Sequence, residues 1–419
     1  MKCGDEFSCR IEKIVYGGKG LARVDGVVVF VMGVAPGETV RVKVSRMRKN
    51  YAEAELQSVE IPSPLRIEND CMVGGRPVPG CVYAHLTPEL ELKVKQDQFE
   101  DFISRIFPSA DCFLPPENSP SHLHYRNKIT LHFQDGRLGY RMEASHTTLD
   151  TPQCPLAGEG VNRLLSRFRA SPAFAALRDG DNVVFRVDAT GATSVIRVPR
   201  RGRKSFWNEG GGEFVERAEL ELRENSPSGE LRVAESGFYQ INGSVGHSLA
   251  ATVADWYAQH AASTPEVMDL YCGVGVFALA CAARGASRVV GVESCGAAVE
   301  MARKNAEDHS VRARFIRASL VGGGAIHAKW VGNAAATAVV IDPPRGGADP
   351  GCIESVNKFG FPRVFYVSCD PATLARDAKE LAKGGYRPVR SKLFNMFPRT
   401  ARFESVTEFV REAKNAVKE

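Results

Sequence analysis

Short runs of alternating and apolar residues, separated by turn residues, fill the first part of the chain. They lie at residues 7–14, 26–32, 39–46 and 51–59. Alternation with a period of two, bounded by pairs such as Gly17-Gly18, predicts β-strands. Five or so short strands in so few residues predict a small OB-like barrel over residues 1–60.

The pattern changes at about residue 236, where apolar strand-like runs begin to alternate with longer helical segments. The runs lie at residues 266–270, 288–292, 314–316, 338–341 and 364–367. This alternation predicts an α/β fold with a doubly wound, mostly parallel, Rossmann-like sheet over residues 236–419. Ligands of such sheets bind beyond the carboxyl ends of the strands. Glu293, Asp342 and Cys369 all stand at such ends.

Residues 61–235 keep neither period throughout and contain proline- and glycine-rich passages. We expect a central α+β domain there, between the barrel and the doubly wound sheet. A chain of 419 residues is long enough for each of these three domains to bury a core of its own.

Basic patches stand in the predicted barrel and in the central domain. Their members include Arg41 and Lys43, Arg126 and Lys128, and Arg200 and Arg201. The formal net charge of +5 is only mildly basic, so the clustering indicates more than the total does. Basic side chains near aromatic ones suit single-stranded RNA, through phosphate contact and base stacking. Solvated charged surfaces are the alternative interpretation.

Composition restricts the class of protein. Hydrophobic residues make up 44% of the chain and charged residues 25%, as in ordinary globular proteins. No apolar run is long enough to span a bilayer and the amino terminus lacks a signal-peptide pattern, so we expect a cytoplasmic monomer with no membrane partner. Eleven scattered cysteines, an odd number, indicate reduced thiols and not a disulfide framework.

A glycine loop at residues 269–275 follows the first strand of the alternating region. Gly273 and Gly275 let the backbone approach a ligand at a helix amino end, and Glu293 can accept hydrogen bonds from ribose hydroxyls. A dinucleotide and S-adenosylmethionine fit this pattern equally. The Asp-Pro-Pro-Arg turn at residues 342–345 favours S-adenosylmethionine, because a proline-fixed turn can hold a flat base beside a methyl donor.

Cys369 stands at the end of an apolar run and just before Pro371, which predicts the start of a helix. A helix dipole can stabilise a thiolate at this position. A small, inert core residue is the alternative, and it is the commoner state of a free cysteine. The motifs elsewhere in the chain decide between the two interpretations.

Six motifs follow one another from residue 238 to residue 404. They are FYQIN at 238–242, DLYCGVG at 269–275, GVE at 291–293, IDPPRGG at 341–347, SCDPATLARD at 368–377 and FPRTARFE at 397–404. Together they resemble the RNA uracil-5-methyltransferase family, and the predicted N-terminal barrel is similar to the TRAM domain of many ribosomal-RNA members. The resemblance covers nearly the whole chain. It implies a class I methyltransferase sheet, an RNA substrate and S-adenosylmethionine as cofactor.

The resemblance also implies catalytic roles. Cys369 matches the nucleophile that adds to carbon 6 of uracil, which makes carbon 5 reactive enough to take a methyl group. Glu404 matches the general base that removes the hydrogen from carbon 5. Asp342 matches a residue that contacts both the cofactor region and the target base.

Binding residues follow from the same motifs. The resemblance assigns the cofactor site to Gln240, Tyr271, Gly273, Gly275, Glu293 and Asp342. Phe238 is expected to stack on RNA, with Arg126 and Lys128 as further contacts to a substrate whose target base is flipped out of its stack.

Three readings of the function stay open. The barrel and the basic loop around Arg200 favour ribosomal RNA as substrate, with transfer RNA as the alternative. A catalytically silent RNA-binding or RNA-folding factor would keep the sheet, but the intact Cys369 and Glu404 argue against it. A nicotinamide-dependent oxidoreductase would not require the Asp-Pro-Pro-Arg turn.

Many ribosomal-RNA members of this family hold a four-iron cluster with four cysteines. Cys71, Cys81 and Cys154 match three of these positions, but Val78 occupies the fourth. Four thiolates are the rule for such clusters, so we expect no stable iron–sulfur cluster in this chain. Smaller departures from the family pattern are Val276, where asparagine is frequent, Ser319, where an acidic residue or asparagine is frequent, and Arg402, where histidine is frequent.

Overall fold

The computed structural model describes residues 1–104, 106, 110–142 and 147–412. The α-helices of these residues are α1 (Pro88–Ile103), α2 (Glu159–Arg169), α3 (Pro172–Ala175), α4 (Gly243–Ala258), α5 (Val276–Ala282), α6 (Gly296–Asp308), α7 (Pro350–Phe359) and α8 (Pro371–Lys383). Short 3-10 helices lie at Ala110–Cys112, Ala328–Trp330 and Ala334–Ala336. Over the described ranges, no helix combines the length and the apolar character that crossing a membrane requires.

The first sixty-one residues form a six-stranded sheet around one apolar core, called the N-terminal barrel below. Its strands are β1 (Glu6–Arg10), β2 (Lys13–Ile14), β3 (Lys19–Val24), β4 (Val27–Met32), β5 (Thr39–Met47) and β6 (Tyr51–Ile61), in the order β1-β5-β6-β4-β3-β2. Alternate residues of β5 show why it forms: Val40, Val42 and Val44 are buried, whereas Arg41 and Lys43 point outward. The sequence pattern did not predict β3, whose Lys-Gly-Leu-Ala-Arg-Val has little strand propensity.

A seven-stranded antiparallel sheet forms the centre of the chain. After a small hairpin of β7 (Met72–Val73) and β8 (Arg76–Pro77) come β9 (Lys128–Gln134), β10 (Arg137–Arg141), β11 (Thr148–Asp150), β12 (Asn182–Val187), β13 (Thr193–Val198), β14 (Ser205–Asn208) and β15 (Glu213–Val215). Helix α2 packs on this sheet through Val161, Leu164, Leu165 and Phe168, a spacing of three and four residues that lines one helix face. A hairpin of β16 (Glu221–Ser226) and β17 (Gly229–Ala234) follows.

The last sheet has seven strands and holds the predicted site positions. They are β18 (Glu266–Leu270), β19 (Arg288–Glu293), β20 (Ala313–Arg317), β21 (Thr337–Ile341), β22 (Arg363–Ser368), β23 (Tyr386–Phe394) and β24 (Glu404–Arg411), in the order β20-β19-β18-β21-β22-β24-β23. The first five are parallel, and β24 runs antiparallel between β22 and β23. The predicted doubly wound, mostly parallel sheet is confirmed. Its strand order reverses beside β18, which is where such sheets open a ligand crevice.

Two segments from the predicted central range pack on this last sheet. Phe99 and Ile103 of α1 lie in its apolar core. Phe113 and Glu117 form parallel bridges to Ser391 and Phe394 of the edge strand β23. The chain therefore leaves the barrel, covers the C-terminal sheet, and only then enters the central sheet.

Candidate active site

A cleft with about 540 Å³ of empty volume opens where β18 and β21 end. Five of the residues assigned to RNA or cofactor by sequence line it: Phe238, Gln240, Tyr271, Gly273 and Asp342. The structure thus brings residues separated by a hundred positions into one crevice, as the carboxyl-end rule for parallel sheets requires.

The glycine loop forms one wall of this cleft. Gly275 begins α5 in the left-handed region at φ 89°, and a Cβ there would lie 3.0 Å from the Phe315 ring. Only glycine fits both the dihedral angle and the space. Glu293 adjoins the loop, because its Oε2 accepts from the Gly273 N–H at 3.1 Å while Oε1 accepts from the Cys295 N–H at 2.6 Å. Gly275 and Glu293 shape the loop but are not among the residues that line the cleft.

Asp269 lies beneath the glycine loop and was not singled out by sequence reasoning. It is fully buried, and its Oδ2 accepts from the Ala278 N–H at 2.9 Å. Burial raises the pKa of this carboxyl well above its ordinary value, and Asp342 and Glu293 add to the effect. A strand-end aspartate that accepts from the first turn of the following helix fixes the loop between them.

The opposite wall comes from the FYQIN segment and α4. A Cβ at Gly246 of α4 would lie 2.7 Å from Cβ of Gln240, so this glycine allows Gln240 to sit close to the helix. Phe238 is 72% exposed at the mouth of the cleft. A large aromatic ring left in solvent beside a cleft suits stacking on a planar ligand.

Cys369 and Glu404 stand next to each other across the sheet. The antiparallel pairing of β22 and β24 matches Ser368 with Ser405, and each of the two residues is one step beyond that pair. Cys369 is partly exposed, and Glu404 is 5% exposed. Both interact electrostatically with Asp342 at the end of β21.

Three acidic groups in one small volume cannot all ionise easily. Burial, reinforced by the Glu404 and Asp342 carboxyls, raises the pKa of the Cys369 thiol to about 12. Burial raises the pKa of Asp342 to about 7, and burial with Asp342 raises that of Glu404 well above its usual range. Arg345 opposes these shifts at both Cys369 and Glu404. In the free protein these shifts favour the protonated forms of Cys369, Asp342 and Glu404, so a reaction at this site must move protons.

A second group of charges holds the segment 395–404 to α1. The Lys95 ammonium is fully buried and donates to Glu91 Oε1 at 2.7 Å and to Asn395 Oδ1 at 2.7 Å. It also donates to the carbonyl of Phe397 at 3.0 Å. All three donors of this ammonium thus have acceptors.

Arg399 completes this group. Its backbone N–H donates to Glu91 Oε1 at 2.9 Å, and its buried guanidinium donates to the Leu86 carbonyl at 2.8 Å and to Asp70. Its φ of 69° is left-handed, a conformation that costs a non-glycine residue energy and that these contacts stabilise. Glu91, Lys95 and Arg399 are called the buried ion cluster below.

Comparisons with known proteins place this geometry in a family. A family model described as tRNA (Uracil-5-)-methyltransferase matches residues 329–411, one described as TRAM domain matches residues 3–57, and one described as Conserved hypothetical protein 95 matches residues 248–358. The 23S rRNA (uracil(1939)-C(5))-methyltransferase of Pseudomonas aeruginosa is 31% identical over 437 residues, covering 97% of this chain and 94% of that protein. The chain belongs to the RNA uracil-5-methyltransferase family.

Other relatives of this uracil-5-methyltransferase chain agree. An enzyme of Shewanella amazonensis with the same printed name is 29% identical, with 97% of this chain and 96% of that protein covered. An RNA methyltransferase of Listeria monocytogenes is 28% identical, with 97% and 98% covered. The crystal structure of Pyrococcus abyssi tRNA (uracil-54, C5)-methyltransferase in complex with S-adenosyl-L-homocysteine shares the fold at a TM-score of 0.72 and 23% identity, covering 96% of this chain and 99% of that one.

The cysteines that match the iron–sulfur ligands of some uracil-5-methyltransferases lie in one apolar cluster. Cys71, Cys81 and Cys154 are buried there together with Val78, which is 3% exposed. The Tyr140 hydroxyl contacts Cys154 Sγ at 3.2 Å, and a hydrogen bond with Cys81, followed by burial, raises the pKa of the Cys71 thiol. Across the described residues, no three His, Cys, Asp or Glu side chains form a group that could hold a metal ion.

This arrangement does not fit an iron–sulfur cluster. An apolar side chain stands in the fourth position, and the raised pKa of the Cys71 thiol disfavours the thiolate form that metals require. No step of the chemistry below uses such a cluster. Its absence stays a prediction.

The basic residues assigned to RNA differ in exposure. Arg41 and Lys43 are about half exposed and lie 3.6 Å from Glu6, and Arg200 and Arg201 are exposed in the loop after β13. Lys128 is partly buried, its ammonium lies 3.4 Å from the Gly237 carbonyl, and burial and Arg186 lower its pKa to about 8. Arg126 is also partly buried and lies over the Tyr125 ring. Contact of any of these six residues with RNA stays a prediction.

Proposed function

We propose that the chain transfers a methyl group from S-adenosylmethionine to carbon 5 of a uridine in 23S ribosomal RNA, with Cys369 as the nucleophile. The observation that carries this proposal is that Cys369 and Glu404 lie side by side in the register of β22 and β24, near Asp342, which lines the cleft. Because the described residues of one chain supply all three groups, we propose that it acts as a monomer. Ribosomal RNA as substrate would place it in the cytoplasm.

The cleft has the features that a nucleoside cofactor needs. The amino end of α5 offers backbone N–H groups, Gln240 offers an amide, and Leu249 and Phe277 offer apolar surface. When bound, S-adenosylmethionine supplies an electrophilic methyl group on a sulfonium, whose positive charge favours the ionised forms of nearby acids. We propose that Glu293, which accepts from the Gly273 N–H, also accepts hydrogen bonds from the ribose hydroxyls.

The reaction begins at Cys369. Its thiol must lose a proton to become the nucleophile, and the Asp342 carboxylate, whose pKa is raised to about 7, is a suitable acceptor that leaves Glu404 free to take the later proton. The Cys369 thiolate then forms a bond to carbon 6 of uracil, and the electron pair of the carbon 5–carbon 6 double bond is displaced towards carbon 5 and the carbon 4 oxygen. Carbon 5 thereby becomes nucleophilic.

Glu404 completes the cycle. After carbon 5 has been methylated, its hydrogen must leave as a proton so that the carbon 5–carbon 6 double bond can reform and the Cys369 sulfur can depart. Glu404 lies beside Cys369 in the strand register and is 5% exposed, so its carboxylate is shielded from water. A desolvated carboxylate with a raised pKa is an effective proton acceptor near neutral pH.

The substrate assignment rests on the relatives. Proteins named for uracil 1939 of 23S rRNA match along nearly their whole length at 29–31% identity. Transfer RNA is the second candidate, because the Pyrococcus abyssi protein of the same fold is named for tRNA. Incubating the protein with unmodified total RNA and tritiated S-adenosylmethionine, then separating 23S, 16S and transfer RNA, distinguishes the two. Label confined to transfer RNA would refute the ribosomal assignment.

The covalent step is tested by Cys369→Ala. We expect methylation to fall at least about 10³-fold, and the adduct with RNA containing 5-fluorouridine to disappear from denaturing gels. The matched control is Cys3→Ala, which removes an exposed thiol near the amino terminus. Turnover by Cys369→Ala at the rate of this control would contradict the mechanism.

A further inference from the structure

Three polar side chains join the N-terminal barrel to the two segments that carry Cys369 and Glu404. The Tyr16 hydroxyl donates to Asp370 Oδ2 at 3.3 Å. One guanidinium nitrogen of Arg402 donates to the Tyr16 hydroxyl at 3.0 Å and to Asp370 Oδ2 at 3.2 Å. Asp370 follows Cys369 directly, and Arg402 precedes Glu404 by two residues. These three residues are called the Tyr16 bridge.

The local sequence explains why the Tyr16 side chain points away from the barrel. It lies in the turn between β2 and β3, which closes through a hydrogen bond from the Val15 N–H to the Lys19 carbonyl at 2.8 Å. Gly17 and Gly18 allow this turn with φ values of 97° and 93°. The turn projects the Tyr16 ring out of the barrel and into the neighbouring domain.

The Tyr16 ring is held by the core of the C-terminal sheet. It packs edge-on against Phe102, with ring centroids 5.5 Å apart, and against Phe403, at 6.0 Å. Phe403 is the residue before Glu404. The barrel thus touches the Glu404 segment through both the ring and the hydroxyl of one side chain.

Asp370 is fixed from two directions. Its Oδ1 caps α8 by accepting from the N–H groups of Ala372 at 3.0 Å and Thr373 at 3.3 Å. Its Oδ2 accepts from the Tyr16 hydroxyl and the Arg402 guanidinium. Cys369 therefore lies between Asp370, which caps α8, and Ser368, which pairs with Ser405 in the sheet. A residue clamped on both sides has little freedom to change its distance from Glu404.

Resting on the proposed function, we propose that Tyr16 and Arg402 are positioning residues that hold the Cys369 and Glu404 segments at the separation the reaction needs. The N-terminal barrel then contributes to turnover as well as to RNA contact. Arg402 stands where the family frequently has histidine, and its guanidinium reaches Tyr16 and Asp370 together. Misplacing a reacting group by about 1 Å can slow a reaction by about 10²-fold. Hydrogen bonds to Asp370, the residue next to Cys369, therefore affect the rate.

The kinetic test uses Tyr16→Phe, which removes the hydroxyl and keeps the ring in its core contacts. We expect kcat to fall about 10-fold while KM for RNA stays within about twofold, because the change alters geometry in the bound complex. Tyr51→Phe is the control, since the Tyr51 ring also packs edge-on in the barrel, against Phe30. Equal kcat in the two variants, or a change in KM alone, would overturn the proposal.

A double variant separates positioning from loss of stability. Asp370→Asn keeps a side-chain oxygen for the α8 cap but weakens the bridge. If Tyr16 acts through Asp370, the variant Tyr16→Phe/Asp370→Asn should be no slower than the slower single variant. Multiplicative losses of kcat would show independent effects and contradict the bridge.

Hydrogen exchange tests the bridge without any methylation assay. In Tyr16→Phe, backbone amides of residues 368–373 and 400–406 should exchange faster, whereas those of 269–275 should not change. Unchanged exchange at the first two segments refutes the bridge even if the chain methylates RNA as proposed. Faster exchange supports it even if the wild-type protein fails to methylate uridine, so the two proposals fail separately.

Discussion

The buried ion cluster and the acids at the cleft each take one residue from the segment 395–404, Arg399 and Glu404 respectively, and the two groups differ in how their charges are compensated. Every donor of the Lys95 ammonium has an acceptor, and Glu91 receives hydrogen bonds from both Lys95 and Arg399. Among the described residues, no cation forms a salt bridge with Glu404 or Asp342; burial raises the pKa of both carboxyl groups, and Asp342 raises that of Glu404 further. Apart from Arg399 Nε, which is buried without a hydrogen-bond partner, the charged groups of the buried ion cluster are satisfied, whereas the two carboxyl groups at the cleft are held in conflict.

On the proposed mechanism, this difference separates the group that serves stability from the group that serves chemistry. A satisfied buried ion pair fixes the chain but offers no proton for transfer. Two carboxyl groups with raised pKa values cost folding free energy, and they are retained where that proton affinity is needed. The segment 395–404 is therefore anchored at one end by the buried ion cluster so that it can present Glu404 at the other.

The largest effect should come from Glu404→Gln. This variant keeps the size of the side chain and removes the proton acceptor, so methylation should fall about 10²–10⁴-fold. Thermal unfolding should show the variant to be at least as stable as the wild type, because the conflict with Asp342 is gone. A large loss of stability would assign Glu404 to the satisfied group and break the comparison.

Lys95→Met should act in the opposite way. Removing the ammonium leaves Glu91 buried with one partner fewer, and the free energy of unfolding should fall by about 3–5 kcal/mol. The control is Lys93→Met on the same helix, whose pair with Asp97 is 71% and 57% exposed at the two side chains. It should change stability by no more than about 0.5 kcal/mol in urea unfolding. Equal effects of the two variants would contradict the role of burial.

Asp342→Asn should change how stability depends on pH. The pKa of Asp342 is raised from 3.8 to about 7 in the folded protein, so the unfolded chain loses this proton first as pH rises. Stability is therefore lost between about pH 4 and pH 7, and above that range the penalty is constant and on the order of a few kcal/mol. Asp342→Asn should be more stable than the wild type at pH 8 and equally stable at pH 4. An unchanged difference across this range would refute the assigned shift.

The smallest effect concerns the cysteine cluster of the central sheet. If no iron–sulfur cluster is held, dialysis against a chelator should leave the unfolding temperature unchanged, and anaerobically purified protein should show no absorbance band near 400 nm. Tyr140→Phe should cost only about 1 kcal/mol, the value of one hydrogen bond to Cys154. Bound iron and acid-labile sulfide, with a large stability loss on chelation, would contradict the prediction.

Much of the site was predictable because strand order follows from the alternation of strands and helices. Asp342 and Cys369 follow the neighbouring strands β21 and β22, and Glu293 ends β19 on the other side of β18; a parallel sheet brings such ends to one edge. The exposure of Phe238 also agrees with its assignment. The glycine loop needed no long-range information, since Gly273 and Gly275 respond to local backbone geometry.

Contacts between distant positions could not be predicted in this way. Tyr16 meets Asp370 across 354 positions and Lys95 meets Asn395 across 300, and no period or motif marks either pair. The sequence also did not predict the partial burial of Lys128, because a basic residue at the start of a strand gives no sign in the sequence of the direction in which its side chain points. Residues that position the site are thus harder to predict from the sequence than residues that line it.

The place of β24 in the sheet has a consequence for biosynthesis. This strand follows β23 in the chain but inserts between β22 and β23, and it begins with Glu404. A nascent chain that has emerged only as far as β23 exposes the edge of β22 and has no proton acceptor beside Cys369. On the proposed mechanism, the catalytic centre is assembled only when that strand leaves the ribosome, so translation products that stop before β24 should be inactive and open to pairing with other strands.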